Sequence, residues 1–143
     1  MTQPTQSTLW NLIFSCWIIA AVSTLGSLFF SEVMAMQPCV LCWYQRIFMY
    51  PLLFIFSVGL FPFDARCARY AMPLAIGGWL FALYHTLLYK GFIPENLQPC
   101  SQGISCADMK LDLFGFITIP LLSLVAFSIL IALLIAVQKG TQK

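Results

Sequence analysis

Four of the six cysteines fall as two close pairs: Cys39 and Cys42 in Pro38-Cys39-Val40-Leu41-Cys42, and Cys100 and Cys106 in Pro99-Cys100-Ser101-Gln102-Gly103-Ile104-Ser105-Cys106. Thiols at such spacings close local disulfides, and two pairs within reach of each other pass electrons by thiol–disulfide exchange. Arg46 follows Cys42 by four residues, which places guanidinium and sulfur on one face of a helix. A guanidinium there stabilises a thiolate, or negative charge growing on a ligand oxygen. The bland reading of Arg46 is a side chain that snorkels to the membrane surface beside Trp43 and Tyr44. His85, the one histidine, lies in the apolar string Leu83-Tyr84-His85-Thr86-Leu87, where an ionisable ring is a functional candidate. Its plainer role is a neutral ring hydrogen-bonded in a polar pocket.

The elements that must position these groups follow from composition. Hydrophobic residues make up 61% of the 143 residues and charged ones 8%, against about 25% charged in a soluble domain. Most of this chain is therefore solvated by lipid. No charged side chain occurs before Glu32, from Ile47 to Phe63, from Tyr70 to Tyr89, or from Leu113 to Gln138. A hydrocarbon core of about 30 Å takes about 17 to 25 helical residues to cross. The pattern predicts four transmembrane helices, at about 9–30, 43–61, 70–89 and 113–137, in a single integral membrane domain covering 1–143. Backbone polar groups in lipid pair within their own segment, so the fold class is an all-α membrane protein, a four-helix bundle. Pro51 is expected near the start of the second helix, where a missing N–H costs little, and Pro120 to kink the fourth. The first apolar run lacks a basic leader and exceeds the usual apolar core of a signal peptide, so it reads as a retained helix.

Four retained helices put both cysteine-bearing connections at one end of the bundle. Arg66 and Arg69 in the second connection, with Lys139 and Lys143 in the tail, place that connection and both termini in the cytoplasm. Glu32, Lys90, Glu95, Asp108, Lys110 and Asp112 around the cysteine pairs give no positive excess. Two outward-facing cysteine loops result, on the side of a membrane where disulfides persist. A net charge of +2 offers no nucleic-acid patch. Cys16 reads as buried packing, Cys67 as a reduced thiol in the cytoplasmic loop, and Glu32 and Gln45 as solvated or interfacial. Pro38 and the start of the second helix frame the first pair, where the helix dipole favours a thiolate.

The string Pro38-Cys39-Val40-Leu41-Cys42-Trp43-Tyr44-Gln45-Arg46-Ile47-Phe48-Met49-Tyr50-Pro51 resembles the signature of the disulfide bond formation protein B (DsbB) family, especially its shorter BdbC-type members. The likeness continues through the four spans, the two-cysteine third connection and Gly115-Phe116-Ile117-Thr118-Ile119-Pro120. One departure is the close spacing of Cys100 and Cys106, which favours a compact disulfide and leaves less loop to grip a partner. The resemblance implies a quinone-dependent oxidoreductase of the bacterial inner membrane that supports protein folding. It would re-oxidise a secreted thioredoxin-fold dithiol oxidase, DsbA-like or BdbD-like, and pass electrons to ubiquinone or menaquinone. It further implies that the partner attacks Cys100, that electrons reach Cys39 and Cys42 through a transient bond between Cys39 and Cys106, and that Cys42 faces the quinone. Arg46 and His85 are the implied quinone-site residues, at the outer ends of the second and third helices.

A non-thiol acceptor fits the energetics. A DsbA-type oxidant sits near about −120 mV and ordinary structural disulfides below about −300 mV, with about 1.4 kcal/mol for every 30 mV. The bacterial periplasm is kept oxidising by a route of this kind. Two other readings remain. One is a non-enzymatic membrane protein whose outer loops are stapled by disulfides or closed on Zn²⁺ by four cysteines; the redox reading needs no metal. The other is a relative of vitamin K epoxide reductase, in which the active pair belongs late in the bundle. Haem attachment is excluded because Trp43, not histidine, follows Cys42.

Overall fold

In hydrocarbon a chain without water must bond its own backbone, and the charge-free runs accordingly fold as helices. The structure, a computed structural model, describes residues 5–35, 38–92 and 119–141. Its helices are α1 (Gln6–Leu28), α2 (Val40–Leu60), α3 (Cys67–Tyr89) and α4 (Ile119–Thr141), and α1 runs on into a π-helical turn, Phe29–Val33. All four are long and apolar enough to cross a membrane.

Two boundaries matter for the chemistry. The second and third helices begin at Val40 and Cys67, each three residues before the expected start, so Cys42 enters the first turn of α2. Pro51 consequently stands in the interior of α2, not near its start, and Pro73 likewise stands inside α3. Each removes one donor from the helical ladder, a loss that neighbouring helices in a bundle accommodate. The expected opening of the fourth helix, 113–118, lies outside the described residues, so Pro120 is met as the second residue of described α4. Cys67, expected in the loop, is instead the first residue of α3 and is buried.

Consecutive helices pack side by side, and α4 closes the ring against α1. The small residues of α3 set how close its neighbours come. Ala68, Ala71, Ala75, Gly78 and Ala82 are all buried at alternating three- and four-residue steps, a narrow stripe that lets helix backbones approach. The ring of Phe127, from α4, occupies the space that a Cβ on Gly78 would need. Indole-to-hydroxyl bonds tie the pairs laterally: Trp17 Nε1 donates to Ser57 Oγ (2.8 Å) and Trp79 Nε1 to Ser128 Oγ (2.9 Å). The side chain of Gln138 donates to the Ala68 carbonyl (3.1 Å), joining α4 to α3 at the end that carries the 61–66 connection.

At the opposite end α3 stops at Gly91, whose φ of +75° suits glycine, with the Phe92 N–H bonded back to the Leu87 carbonyl. Cys39 and Leu41 pack there against Leu88, with Cys42, Phe81 and Tyr84 around them. The start of α2 with Cys39 and the last turn of α3 therefore lie at the same end of the bundle, as consecutive spans require.

Candidate redox site

Cys39 is the N-cap of α2, in extended conformation, and Cys42 follows within the first turn. One helical turn brings the sulfurs together, and the two thiols lie 3.0 Å apart. The two sulfurs are not joined in a disulfide. Their surroundings differ. Cys39 is buried, and its sulfur faces α3, where His85 Nε2 lies 3.9 Å away. The S–H of Cys42 first, and then the His85 ring, hold the Cys39 thiol below the ordinary cysteine range, against the opposing effect of burial.

His85 is itself buried and held by a residue that the sequence reading placed at an interface. Gln45, one residue before Arg46, is buried, and its Nε2 sits 3.1 Å from His85 Nδ1. An amide nitrogen only donates, so Nδ1 accepts and the ring proton lies on Nε2, the atom facing Cys39. Gln45 thus fixes the tautomer that supports a Cys39 thiolate. The sequence signal was available: with Cys42 and Arg46 on one face of α2, Gln45 is turned toward α3. It acquires meaning only when His85 is seen opposite.

Cys42 looks the other way, into a cavity of about 460 Å³ between α1, α2 and α4. Arg46 and Tyr50 line it too, giving a stripe on α2 at steps of four residues. Arg46 Nη2 donates to the carbonyl of Ser27 (2.8 Å), beside the π-helical turn, and its guanidinium lies over the Trp43 ring, 5.4 Å from the centroid. The arginine is therefore anchored within the protein at the cavity wall. Tyr50 Oη is buried without a hydrogen-bond partner among the described residues. The cavity opens between α1, α2 and α4, whereas α2 and α3 are joined near the cysteine end by stacked rings, Tyr44 on Phe81 at 5.0 Å and Phe48 on Phe81 at 5.5 Å. His85 does not line it, so the structure separates the two expected ligand residues: Arg46 on the cavity, His85 behind Cys39.

The Cys39 and Cys42 sulfurs and His85 Nε2 lie within 4.8 Å of one another, which also makes them a possible soft-metal ligand set. Cys100 and Cys106 lie outside the described residues. Glu32 is exposed in the π-helical turn, and Cys16 is buried in the core.

A dithiol at a membrane-helix terminus, with one sulfur on a histidine and the other on an apolar cavity, is an arrangement for redox exchange. Comparison with known proteins agrees. The family model described as "Disulfide bond formation protein DsbB" matches residues 7–137. The chain belongs to the DsbB family. Among its relatives, a "Probable disulfide formation protein" of Metapseudomonas resinovorans is 46% identical over 140 residues, covering 97% of this chain and 96% of the relative. "Disulfide bond formation protein C" of Bacillus subtilis (strain 168) is 43% identical over 130 residues, covering 90% and 92%. No solved structure matches. As a DsbB-family member the chain is a multi-pass bacterial membrane protein, and membership implies thiol–disulfide oxidoreductase activity that generates disulfides.

Proposed function

We propose that this protein re-oxidises a secreted, DsbA-like (BdbD-like) thioredoxin-fold dithiol oxidase and delivers the electrons to a membrane quinone, with both cysteine connections on the outer face. The observation that carries the proposal is the asymmetry of the Cys39–Cys42 pair: one sulfur is held by His85, the other opens onto the cavity.

The relay balances by exchange. A partner thiolate attacks Cys100 of the Cys100–Cys106 disulfide, and the Cys106 thiolate released attacks Cys39 of the oxidised Cys39–Cys42 pair, freeing Cys42. The partner's second thiol resolves its bond to Cys100, and Cys100 then reclaims Cys106, leaving the partner oxidised and Cys39 and Cys42 reduced. While Cys39 is in the mixed disulfide, charge on this pair rests on Cys42, beside Arg46. Once Cys39 is free, its supported thiolate is the nucleophile that closes on Cys42.

The cavity fits a quinone head group. Its volume suits a small ligand, its walls are mostly apolar, and it offers the Arg46 guanidinium, with the Tyr50 phenol, unpartnered among the described residues, behind its wall. A quinone bound there would supply the two-electron, two-proton acceptor that closing of the Cys39–Cys42 bond requires. Arg46 would hold its oxygen, and Cys42 would stand next to it. No metal takes part.

The test is to purify the protein, extract and identify its bound lipid, and assay anaerobic quinone reduction by a reduced thioredoxin-fold oxidase. About one quinone per chain and quinone-dependent oxidation are expected. Stoichiometric zinc with no quinone turnover would favour the stapled or Zn-binding alternative, for which the clustering of Cys39, Cys42 and His85 is the favouring observation.

A further inference from the structure

We propose that Tyr50 is a hydrogen-bond donor to the quinone, contributing to its affinity from the deeper part of the cavity; this rests on the quinone reading above. A buried hydroxyl without a partner is uncommon in a folded protein and costs free energy unless something supplies the missing bond. Tyr50 Oη is such a group among the described residues: Tyr50 lines the same cavity as Cys42 and Arg46, its oxygen lies covered behind the cavity wall, and a small shift of the phenol brings it to a ligand there.

Position along α2 gives the proposal its geometry. Cys42, Arg46 and Tyr50 are spaced by four residues, so Tyr50 lies about 12 Å along the axis from Cys42 at 1.5 Å per residue. The cysteine is in the first turn and the tyrosine toward the bilayer interior. A quinone carries carbonyls at opposite ends of its ring. One end is addressed by Arg46 beside the reacting sulfur, and the phenol, one turn deeper, addresses the other or a ring substituent next to it. Arg46 is already committed in part to the Ser27 carbonyl, so a second donor secures orientation that a single anchored arginine leaves free. Tyr50 does not touch either sulfur and takes no proton in the relay. It is a binding residue.

Tyr50→Phe deletes one oxygen and keeps the ring. Because that oxygen has no partner among the described residues, the variant is expected to unfold in detergent at a midpoint no lower than the parent's. Quinone binding reads the effect directly: the disulfide form, which does not turn over, is titrated with a short-tailed benzoquinone and a short-tailed naphthoquinone and followed by tryptophan fluorescence. A neutral hydrogen bond corresponds to about fivefold to tenfold in Kd. The dissociation constant for at least one probe should rise by that factor, with KM rising more than kcat falls in turnover. Unchanged Kd for both probes, in a parent protein that binds and reduces quinone, overturns the role of Tyr50. A parent that binds neither probe overturns the quinone reading itself.

Discussion

At the scale of single residues, the two members of one Cys-x-x-Cys differ because of what each sulfur touches. Only the thiolate is alkylated, and the rate falls about tenfold per pH unit below the thiol's pKa. Cys39 is held below the ordinary range by Cys42 and His85, so its thiolate persists as pH falls through the region where an ordinary cysteine protonates. In a reduced Cys100→Ser, Cys106→Ser background, alkylation of Cys39 by a small neutral reagent, slowed by burial equally at every pH, should change less than about threefold from pH 9 to pH 7, while an ordinary thiol slows more than about tenfold. Peptide mass spectrometry reads the two sites separately. Gln45→Leu should shift that profile to higher pH by removing the partner that directs the Nε2 proton of His85 at Cys39. An unshifted profile would make Gln45 a packing residue. Arg46 carries a separate expectation. Lysine cannot both donate to the Ser27 carbonyl and present a rigid planar fork to a ligand. Arg46→Lys should raise the quinone KM by about tenfold to a hundredfold, the equivalent of about 1.5 to 3 kcal/mol for a charge-assisted bond. Unaltered quinone kinetics at equal protein level would return Arg46 to a membrane anchor.

At the scale of elements, the site depends on α3 lying close to α2 and α4, and that closeness rests on absent side chains. A Cβ at Gly78 meets the Phe127 ring, so Gly78→Ala forces that ring to move despite the helix preference for alanine. Overpacking of this kind costs about 1 to 3 kcal/mol. Thermal denaturation should show Gly78→Ala destabilised, and less so when combined with Phe127→Leu, giving a coupling energy of opposite sign to the single effects. Simple additivity of the two would mean that α3 and α4 do not press together at this point. Across the bundle, the 3.6-residue period and the charge-free windows made the four helices legible. The starts of α2 and α3 were not, because Cys39 and Arg66 cap without the side-chain bonds that mark a helix start in sequence.

At the scale of the whole molecule, the proposed function requires both cysteine connections outside. The 61–66 connection should then be cytoplasmic, but Cys67 is a poor reporter of it because the residue is buried. Asp64 is exposed in that connection. In a Cys67→Ser background, Asp64→Cys should react with a membrane-impermeant thiol reagent only after permeabilisation, whereas reduced Cys100 and Cys106 should react in intact cells. Labelling of Asp64→Cys from outside would invert the topology and remove the oxidase function with it.

The sequence by itself determined the solvent, the four spans and the family, because these depend on composition and on short spacings along one chain. Arg46 was visible for the same reason: it lies one turn from Cys42. Three features were decided only by tertiary structure. Gln45 lies against His85, Tyr50 lines the cavity with Cys42 and Arg46, and that cavity opens on the α1, α2 and α4 face, away from His85. Each depends on which neighbour a given face of α2 meets. Periodicity tells which residues share a face; the packing of α3 on one side, and the gap left between α1 and α4 on the other, decide what that face does.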